Sequence, residues 1–374
     1  MSNKLIRLSK SCIGAAEKEA VMNVLDNEYL GMGQKVKDFE DLLSEYFGRP
    51  ALCVVNGTAA LHLALQAVGV GQGDEVLVPS ITYVASYQAI SATGAIPVSC
   101  DIDPDSFCLD LDDACERVTD RTRAIMPVHY AGGTGALDGY YAMADKYGLR
   151  VIEDSAHALG SSYSGKLIGS FGDVACFSFD GIKNITSGEG GCIVTDDSDV
   201  LERVKDARLL GVINDTEARF KGARTWKLQV ENQGWRYHMS DIMAAIGSVQ
   251  FNRKEEFFKK RQILAERYCL RFKNIDAIKP IISNFDSVVP HIYVVRILKQ
   301  INRDDLRKKL LDKKIETGVH YQPNHLLNFF ECSNIAELKN TMEHSENIIS
   351  LPLHADLNLE DVDYVADNLI QLLE

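Results

Sequence analysis

Short apolar runs alternate with helical stretches between about residues 51 and 196. Most of the runs are continuously apolar, as expected of strands buried on both faces of a sheet. Helical patterns, such as those at 59–68 and 136–147, lie between many of them. This alternation predicts an α/β fold with three layers, in which helices cover both faces of a mostly parallel seven-stranded sheet. The predicted strands span residues 52–55, 75–78, 97–101, 124–128, 151–153, 174–179 and 192–195.

The C-terminal third of the chain has a different pattern. A long charged amphipathic helix is followed by an alternating apolar strand and two further helices, at residues 253–272, 290–298, 303–314 and 359–373. This order predicts a smaller α/β domain with a partly antiparallel sheet. We therefore expect a large domain at 1–250 and a linking helix with a small C-terminal domain at 251–374.

Two ionisable residues follow buried strands of the predicted sheet. Asp154 comes directly after the run 151–153, and Lys183 lies in a glycine-flanked turn after the run 174–179. Ligands of such sheets bind beyond the carboxyl ends of the strands. A lysine that forms a Schiff base and an aspartate that keeps a pyridinium protonated are what pyridoxal phosphate (PLP) requires. Taken singly, a lysine is usually a solvated surface residue, and an aspartate after a strand is usually a helix cap or turn residue.

A small-residue turn follows the first predicted strand and leads directly into a helix. It reads Asn56-Gly57-Thr58-Ala59-Ala60. Free N–H groups and the positive end of a helix dipole suit a phosphate, and Thr58 adds a hydroxyl donor. The alternative is that Thr58 only caps the helix.

Charge and cysteine usage exclude several classes of function. The formal net charge of −13 disfavours non-specific binding to nucleic acid or to anionic membranes. The N-terminus has no long apolar segment of a secretory signal, and no apolar run reaches the roughly 18 residues of a membrane span. The nine cysteines are scattered without a CxxC pair, so we expect a reduced, cytoplasmic protein and no metal site.

With these three elements in order, the chain resembles the DegT/DnrJ/EryC1/StrS family of sugar aminotransferases, which are PLP enzymes of the aspartate aminotransferase fold (fold type I). The resemblance covers nearly the whole chain. It rests on an ordered set of short motifs: Leu30-Gly31-Met32-Gly33, Asn56-Gly57-Thr58-Ala59-Ala60-Leu61, Gly73-Asp74-Glu75-Val76, Pro79-Ser80-Ile81-Thr82-Tyr83, Pro127-Val128-His129-Tyr130, Glu153-Asp154-Ser155-Ala156-His157, Phe177-Ser178-Phe179 with Lys183, and Gly188-Glu189-Gly190-Gly191.

The resemblance implies a role for each position that contacts the cofactor ring. Lys183 looks like the lysine that forms the Schiff base, and Asp154 like the partner of the pyridine nitrogen. Tyr83 looks like the residue stacked on the ring. His157 matches the position beside the phenolic oxygen, where many relatives carry Gln. The alternatives are a satisfied core histidine for His157 and a core aromatic for Tyr83.

The resemblance also implies a phosphate site and a departure from the family pattern. The phosphate ligands are expected in the Gly57 turn, through Thr58 and Ala59, and at Ser178. Relatives often show Gly-Tyr-Asn-Tyr-Arg-Met, in which the Asn reaches the cofactor phosphate of the neighbouring subunit. This chain has Arg236 at the Asn position, in Gly234-Trp235-Arg236-Tyr237-His238-Met239. An arginine there binds phosphate, contacts substrate phosphates, or lies only at the subunit interface.

The implied reaction moves an amino group, usually from L-glutamate, to a nucleotide-linked keto-sugar. The run 183–191 and His157 favour members that act at C4, which is a weak indication of a 4-keto-6-deoxy sugar. The pathway implied is amino-sugar biosynthesis for a surface polysaccharide or related glycan, and the expected assembly is a homodimer with shared active sites. Substrate-side candidates are His320, Tyr321 and His325, together with the cations Arg224, Lys227 and Arg236 near the polar stretch 214–233, which predicts a long loop.

Other functions remain open at this stage. Some relatives aminate a cyclitol or another ketone, and the motifs do not exclude them. A non-catalytic regulator with the same fold is disfavoured because the lysine, the aspartate and the phosphate residues are all present. Relatives that dehydrate sugars carry His where this chain has Lys183. A plain dinucleotide-binding domain would need G-x-G-x-x-G after its first strand, and this chain has Asn56-Gly57-Thr58.

Overall fold

The computed structural model describes residues 5–224, 226, 228–330 and 338–374. The helices are α1 Ala15–Asp26, α2 Gln34–Phe47, α3 Gly57–Ala67, α4 Val84–Ala92, α5 Leu111–Glu116, α6 Leu137–Tyr147, α7 Ser198–Ala207, α8 Asp215–Phe220, α9 Asp241–Asn252, α10 Lys254–Phe272, α11 Arg303–Asp312, α12 Lys339–Ser345 and α13 Leu359–Leu373. The strands are β1 Ala51–Val54, β2 Glu75–Pro79, β3 Ile96–Cys100, β4 Thr122–Ile125, β5 Arg150–Asp154, β6 Ser162–Tyr163, β7 Lys166–Leu167, β8 Val174–Ser178, β9 Gly191–Val194, β10 Ile278–Pro280, β11 Tyr293–Ile297 and β12 Ile348–Leu351.

The large sheet has seven strands in the order β1-β9-β8-β5-β4-β2-β3. Neighbours from β8 to β3 pair in parallel, and β9 runs antiparallel to both β8 and β1. The predicted mostly parallel seven-stranded sheet is therefore confirmed, with strand ends that differ from the prediction by a few residues.

Alternate residues of the large sheet enter two separate apolar clusters. Cys53 and Phe177 face the cluster that includes side chains of α2, α6 and α9. Their neighbours Val54 and Cys176 face the cluster that includes α3, α4 and α7. Because side chains alternate across a strand, a continuous apolar run satisfies both faces. The three predicted layers follow from this burial.

The carboxyl ends of β1, β5 and β8 lie at one edge of the large sheet. The strand β1 is antiparallel to β9, which is antiparallel to β8, so β1 and β8 run in the same direction. Asp154 is the last residue of β5, Ser178 is the last residue of β8, and Gly57 begins the helix that follows β1. Three residues that are far apart in the sequence are thus brought to the same edge.

A second sheet lies in the C-terminal third. Its order is β10-β11-β12, and both pairings are antiparallel. Its apolar cluster includes Tyr268 from α10, Val295 from β11 and Leu369 from α13. The expected antiparallel sheet is present, and the division of the chain at residues 250 and 251 stays a prediction.

The polar stretch 214–233 is not a loop throughout. Residues Asp215–Phe220 form the helix α8, in which Arg219 Nε donates to Asp215 Oδ2 across one turn at 2.7 Å. Thr216 Oγ1 donates to the carbonyl of Lys205 at 3.0 Å, which fixes α8 beside α7. The prediction of a loop was wrong for these six residues, because short-range ion pairing within one turn gives no long apolar period. Lys227 lies outside the described residues.

Within the part of the chain that the structure describes, none of the helices combines the length and the apolarity that crossing a bilayer demands.

Candidate active site

A cavity of about 410 Å³ opens at the carboxyl edge of the large sheet, beside the C-terminal third of the chain. Its volume lies within the range of small-molecule sites, roughly 300–1,000 Å³. Most of the residues predicted for the cofactor and substrate line it: Gly57, Thr58, Tyr83, Asp154, His157, Ser178, Lys183, His320 and Tyr321.

The amine of Lys183 has an unusual electrostatic environment. Its side chain is partly accessible through the cavity, while its Nζ atom lies deep among protein atoms. Burial lowers the pKa of Lys183 to about 8, against the attraction of Asp154 and Asp180 and with a further lowering by the charge of Arg261. At pH 7 this pKa leaves about a tenth of the amines neutral, compared with fewer than about one in a thousand at the usual value. Lys183 therefore has the nucleophilic character that a Schiff-base lysine needs.

The carboxylate of Asp154 is held in a fixed orientation. Ser86 Oγ donates to Asp154 Oδ2 at 2.7 Å, and the Ala156 N–H lies 3.2 Å from Oδ1. Thr82 Oγ1 is 2.9 Å from Ser86 Oγ and extends the network. Asp154 is only 6% exposed, and what is exposed faces the cavity. The carboxylate is thus preorganised to meet a cationic ring nitrogen.

One end of the cavity is formed by the start of α3. A Cβ atom on Gly57 would lie 2.9 Å from Ser178 Cβ, so this turn packs against β8 more closely than any larger residue allows. The N-cap is Asn56, whose side chain accepts from the Ala59 N–H at 2.8 Å. The alternative that Thr58 caps the helix is therefore wrong, and Thr58 is exposed at the cavity. The helix N-terminus, Thr58 and Ser178 fit a phosphate.

Aromatic rings form the remaining wall of the cavity. His157 Nδ1 accepts from the Ala131 N–H at 3.3 Å, so the proton of the neutral ring is on Nε2, which lies 3.0 Å from the Tyr321 hydroxyl. Burial, followed by the charge of Lys183, holds the pKa of His157 well below its usual value. Tyr83 is 60% exposed, which rules out the alternative of a core side chain, and its ring centroid is 5.8 Å from that of Tyr321.

Three predicted site residues do not line this cavity. The Ala59 N–H is already bonded to the Asn56 side chain. His325 is buried, and its Nδ1 lies 2.6 Å from Ser80 Oγ, an interaction within the protein framework. Arg236 pairs with Leu209 in a short β-bridge and does not line the cavity of its own chain, so its role as a cofactor ligand stays a prediction.

Two residues that contact the key groups were not found from the sequence. Ser86 lies in the first turn of α4, a helix that also contains Gln88 and Ser91, so the sequence does not single Ser86 out. His291 precedes β11, and its Nε2 lies 3.4 Å from Lys183 Nζ across 108 residues of sequence. No local pattern indicates such a contact.

The DegT/DnrJ/EryC1/StrS aminotransferase family model matches residues 11–370. The chain belongs to this family. The putative sugar aminotransferase Spr1654 from Streptococcus pneumoniae, solved in its PLP form, is 30% identical with a TM-score of 0.91, over 99% of this chain and 98% of that one.

Two further solved structures are similar over nearly their whole length. PseC from Helicobacter pylori, an aminotransferase involved in the biosynthesis of pseudoaminic acid, is 29% identical with a TM-score of 0.91, covering 98% of this chain and 99% of that one. DesI, solved in the presence of its TDP-sugar product, is 28% identical with a TM-score of 0.88, covering 100% of this chain and 94% of that one.

These similarities confirm the expected family, fold type and PLP dependence. This member of the family is a PLP-dependent sugar aminotransferase. The residues around its cavity fit the cofactor, because an amine of lowered pKa, an oriented carboxylate and a helix N-terminus surround one space.

Proposed function

We propose that this family member transfers an amino group from L-glutamate to a nucleotide-linked keto-sugar, with a 4-keto-6-deoxy sugar as the favoured acceptor. The product is an amino sugar for a surface polysaccharide or a related glycan. The observation that carries the proposal is the cavity that holds Lys183, Asp154 and the start of α3 together and is open on the side of Tyr83.

PLP, when bound, supplies an aldehyde that captures amines and a ring that accepts the electron pair of a broken C–H bond. In this proposal Lys183 holds the aldehyde end by its Nζ atom. As a free amine, Nζ would take a proton from the Cα atom of the amino donor and would deliver it to the carbon of the cofactor aldehyde. A pKa of about 8 permits this near neutral pH. Lys183 is thus both nucleophile and base.

The other residues bind and orient. The Asp154 carboxylate, held by Ser86, receives the ring nitrogen and keeps it protonated. Thr58, Ser178 and the start of α3 at Gly57 hold the phosphate, while the Ala59 N–H stays bonded to the Asn56 side chain. Tyr83 stacks on one ring face. The neutral His157 lies at the phenolic-oxygen side, where its Nε2 holds the Tyr321 hydroxyl beside the ring.

Several features support a nucleotide-linked acceptor. The wall formed by Tyr83, His320 and Tyr321 gives aromatic and polar groups next to the opening of the cavity, which suits a sugar. DesI, which has the same fold, was solved with a TDP-sugar product. A nucleoside diphosphate needs cationic donors, for which Arg224 and Arg236 are the candidates.

We include in this proposal a cytoplasmic homodimer with shared sites, in which Arg236 reaches the cofactor phosphate of the partner. It is supported by the absence of Arg236 from the residues that line the cavity of its own chain. Mixing inactive Lys183→Ala with weakened Arg236→Ala protein tests it. We expect the mixture to recover up to about a quarter of wild-type activity, because half of the dimers are heterodimers and each heterodimer has one intact site of two. Mixing without any recovery, despite subunit exchange, contradicts the shared site.

Absorption spectroscopy tests the cofactor roles. The purified protein should show a visible band that borohydride abolishes and that Lys183→Ala lacks, and L-glutamate should convert the band to that of the pyridoxamine form. A band that ignores every amino donor contradicts the transaminase role of the site.

A substrate panel tests the acceptor. Nucleotide-linked 4-keto-6-deoxy sugars, 3-keto sugars and free keto-cyclitols are incubated with the glutamate-treated enzyme, and return of the PLP band is followed. Return of the band with a cyclitol alone refutes the nucleotide-sugar acceptor.

A further inference from the structure

We propose that His291 is a positioning residue for Lys183: its Nε2 atom receives the ε-amine whenever that amine is free and keeps the amine facing the cavity. The inference rests on the proposed role of Lys183 and adds a residue that no sequence motif assigned. Lys183 Nζ lies 3.4 Å from His291 Nε2, slightly farther than the usual hydrogen-bond range of about 2.7–3.2 Å.

Among the described residues, His291 Nε2 makes no hydrogen-bond contact besides the one with Lys183 Nζ. His291 is 3% exposed, and its Nδ1 has no hydrogen-bond partner among the described residues. Burial, followed by the charges of Lys183, His157 and Arg261, holds the pKa of His291 well below its usual value. The ring is neutral, so a nitrogen lone pair is available to accept from the amine.

The neighbouring histidine cannot take this role. The rings of His157 and His291 lie 4.4 Å apart between centroids, so both are close to the lysine. Both nitrogens of His157 are already in use, one by the Ala131 N–H and the other by the Tyr321 hydroxyl. Of the two rings, only His291 has hydrogen-bonding capacity to spare for the amine.

A buried arginine fixes the distance between the two backbones. Arg261, on α10, is 3% exposed. Its Nη1 donates to the His291 carbonyl at 3.0 Å, and its Nη2 lies 3.4 Å from the Lys183 carbonyl. One rigid guanidinium therefore joins the segment before β11 to the turn after β8. His291 is held in register with Lys183 by main-chain contacts, independently of any ligand.

This arrangement matters in the states in which the lysine is not bonded to the cofactor. A free lysine side chain has many rotamers, and holding it in one of them removes an entropic cost from each reaction of the amine. In cofactor capture, a C=N bond forms between Nζ and the aldehyde carbon while the aldehyde oxygen leaves as water, without oxidation or reduction. His291 takes no part in these bond changes. By favouring one rotamer of Lys183, it reduces the number of conformations that the amine samples before it reacts.

The test compares three substitutions of His291 in the full-length protein. Gln places an amide near the position of Nε2, Asn reaches only the position of Nδ1, and Leu removes hydrogen bonding. His354→Gln is the matched control, because His354 is also a buried histidine and it lies outside the active-site cavity. Thermal melting verifies folding of each variant.

Two rates are measured. The first is the rate at which protein stripped of cofactor captures added PLP, followed by the growth of the visible band and by borohydride trapping. The second is kcat with L-glutamate, together with KM. We expect His291→Leu and His291→Asn to slow capture and kcat about tenfold with KM within about twofold. His291→Gln should recover at least about a third of both rates, and His354→Gln should match wild type.

Capture and kcat at wild-type values in His291→Leu would overturn the proposal. So would equal rates in the Gln and Asn variants, a comparison that remains decisive if the Leu variant does not fold. A wild-type protein that never captures PLP refutes the proposed function itself, and the role of His291 falls with it. Wild-type capture with unchanged variants refutes only the role of His291.

Discussion

Substituting Gly57 with Ala should weaken cofactor binding by an amount that the packing of the phosphate turn sets. The added Cβ would lie 2.9 Å from Ser178 Cβ and 3.5 Å from Ser178 Cα. A Cβ has no rotamer by which to move aside, so β8 and the start of α3 must separate by about half an ångström. Overpacking of this kind costs about 1–3 kcal/mol.

The cost falls on the two elements that form the phosphate site. If the strain is relieved by moving Ser178 away from α3, PLP affinity should fall by about 5–150-fold, which is the same range of free energy. The free energy of unfolding of the cofactor-free protein should fall by less than about 3 kcal/mol. Gly71→Ala is the matched control, because a Cβ at Gly71 meets no atom within 4 Å.

The assay is a fluorescence titration of cofactor-free protein with PLP, paired with urea unfolding of the same samples. Gly71→Ala should bind PLP within about twofold of wild type and unfold within about 0.5 kcal/mol of it. If Gly57→Ala also binds PLP within twofold of wild type, the close contact between α3 and Ser178 does not form the phosphate site, and the reasoning is refuted.

Three further outcomes follow from buried polar contacts. Ser86→Ala removes the hydrogen bond to the Asp154 carboxylate, a contribution of about 1.5–3 kcal/mol, and kcat should fall about tenfold. The control is Tyr87→Phe, which removes the hydrogen bond from the neighbouring residue to Ser99 and should keep kcat within about twofold of wild type. Arg208→Met leaves Glu40 buried without its ion-pair partner and should lower the free energy of unfolding in urea by about 3–5 kcal/mol. Adding Glu40→Gln should restore part of that stability, and equal stability of the single and double variants would contradict the pairing. Because the pKa of Lys183 is lowered in the folded protein, the unfolded chain binds more protons than the folded one between pH 8 and 10.5, and this group makes the cofactor-free protein gain stability as pH rises through that window. Lys183→Met should therefore be more stable than wild type at pH 7, and the difference in stability should shrink by pH 10.5. Thermal melts across this pH range measure both effects.

Local sequence patterns were sufficient to predict the scaffold of the site. A short apolar run is typical of a strand covered on both faces, and the alternation of such runs with helical stretches favoured interior strands before Asp154 and Lys183. Parallel strands end at a common edge, and a residue that ends such a strand lies where ligands bind. Lys183, Asp154 and the Gly57 turn were predicted on this reasoning, and the cavity brings them together.

The contacts that tune those groups were decided by the tertiary structure. Strand and helix periods specify which face of an element is buried, and carry no information about which distant side chain packs against it. His291 contacts Lys183 across 108 residues of sequence, and Ser86 in the first turn of α4 contacts Asp154 at the end of β5 across 68 residues. His320 reaches the cavity while His325, five residues later in the same motif, bonds to Ser80. The sequence thus determined where a site forms, because the burial of a strand or helix follows from its local pattern. The packing of remote segments determined the electrostatics of the site, because charge and hydrogen bonding depend on neighbours that come together only in the folded chain.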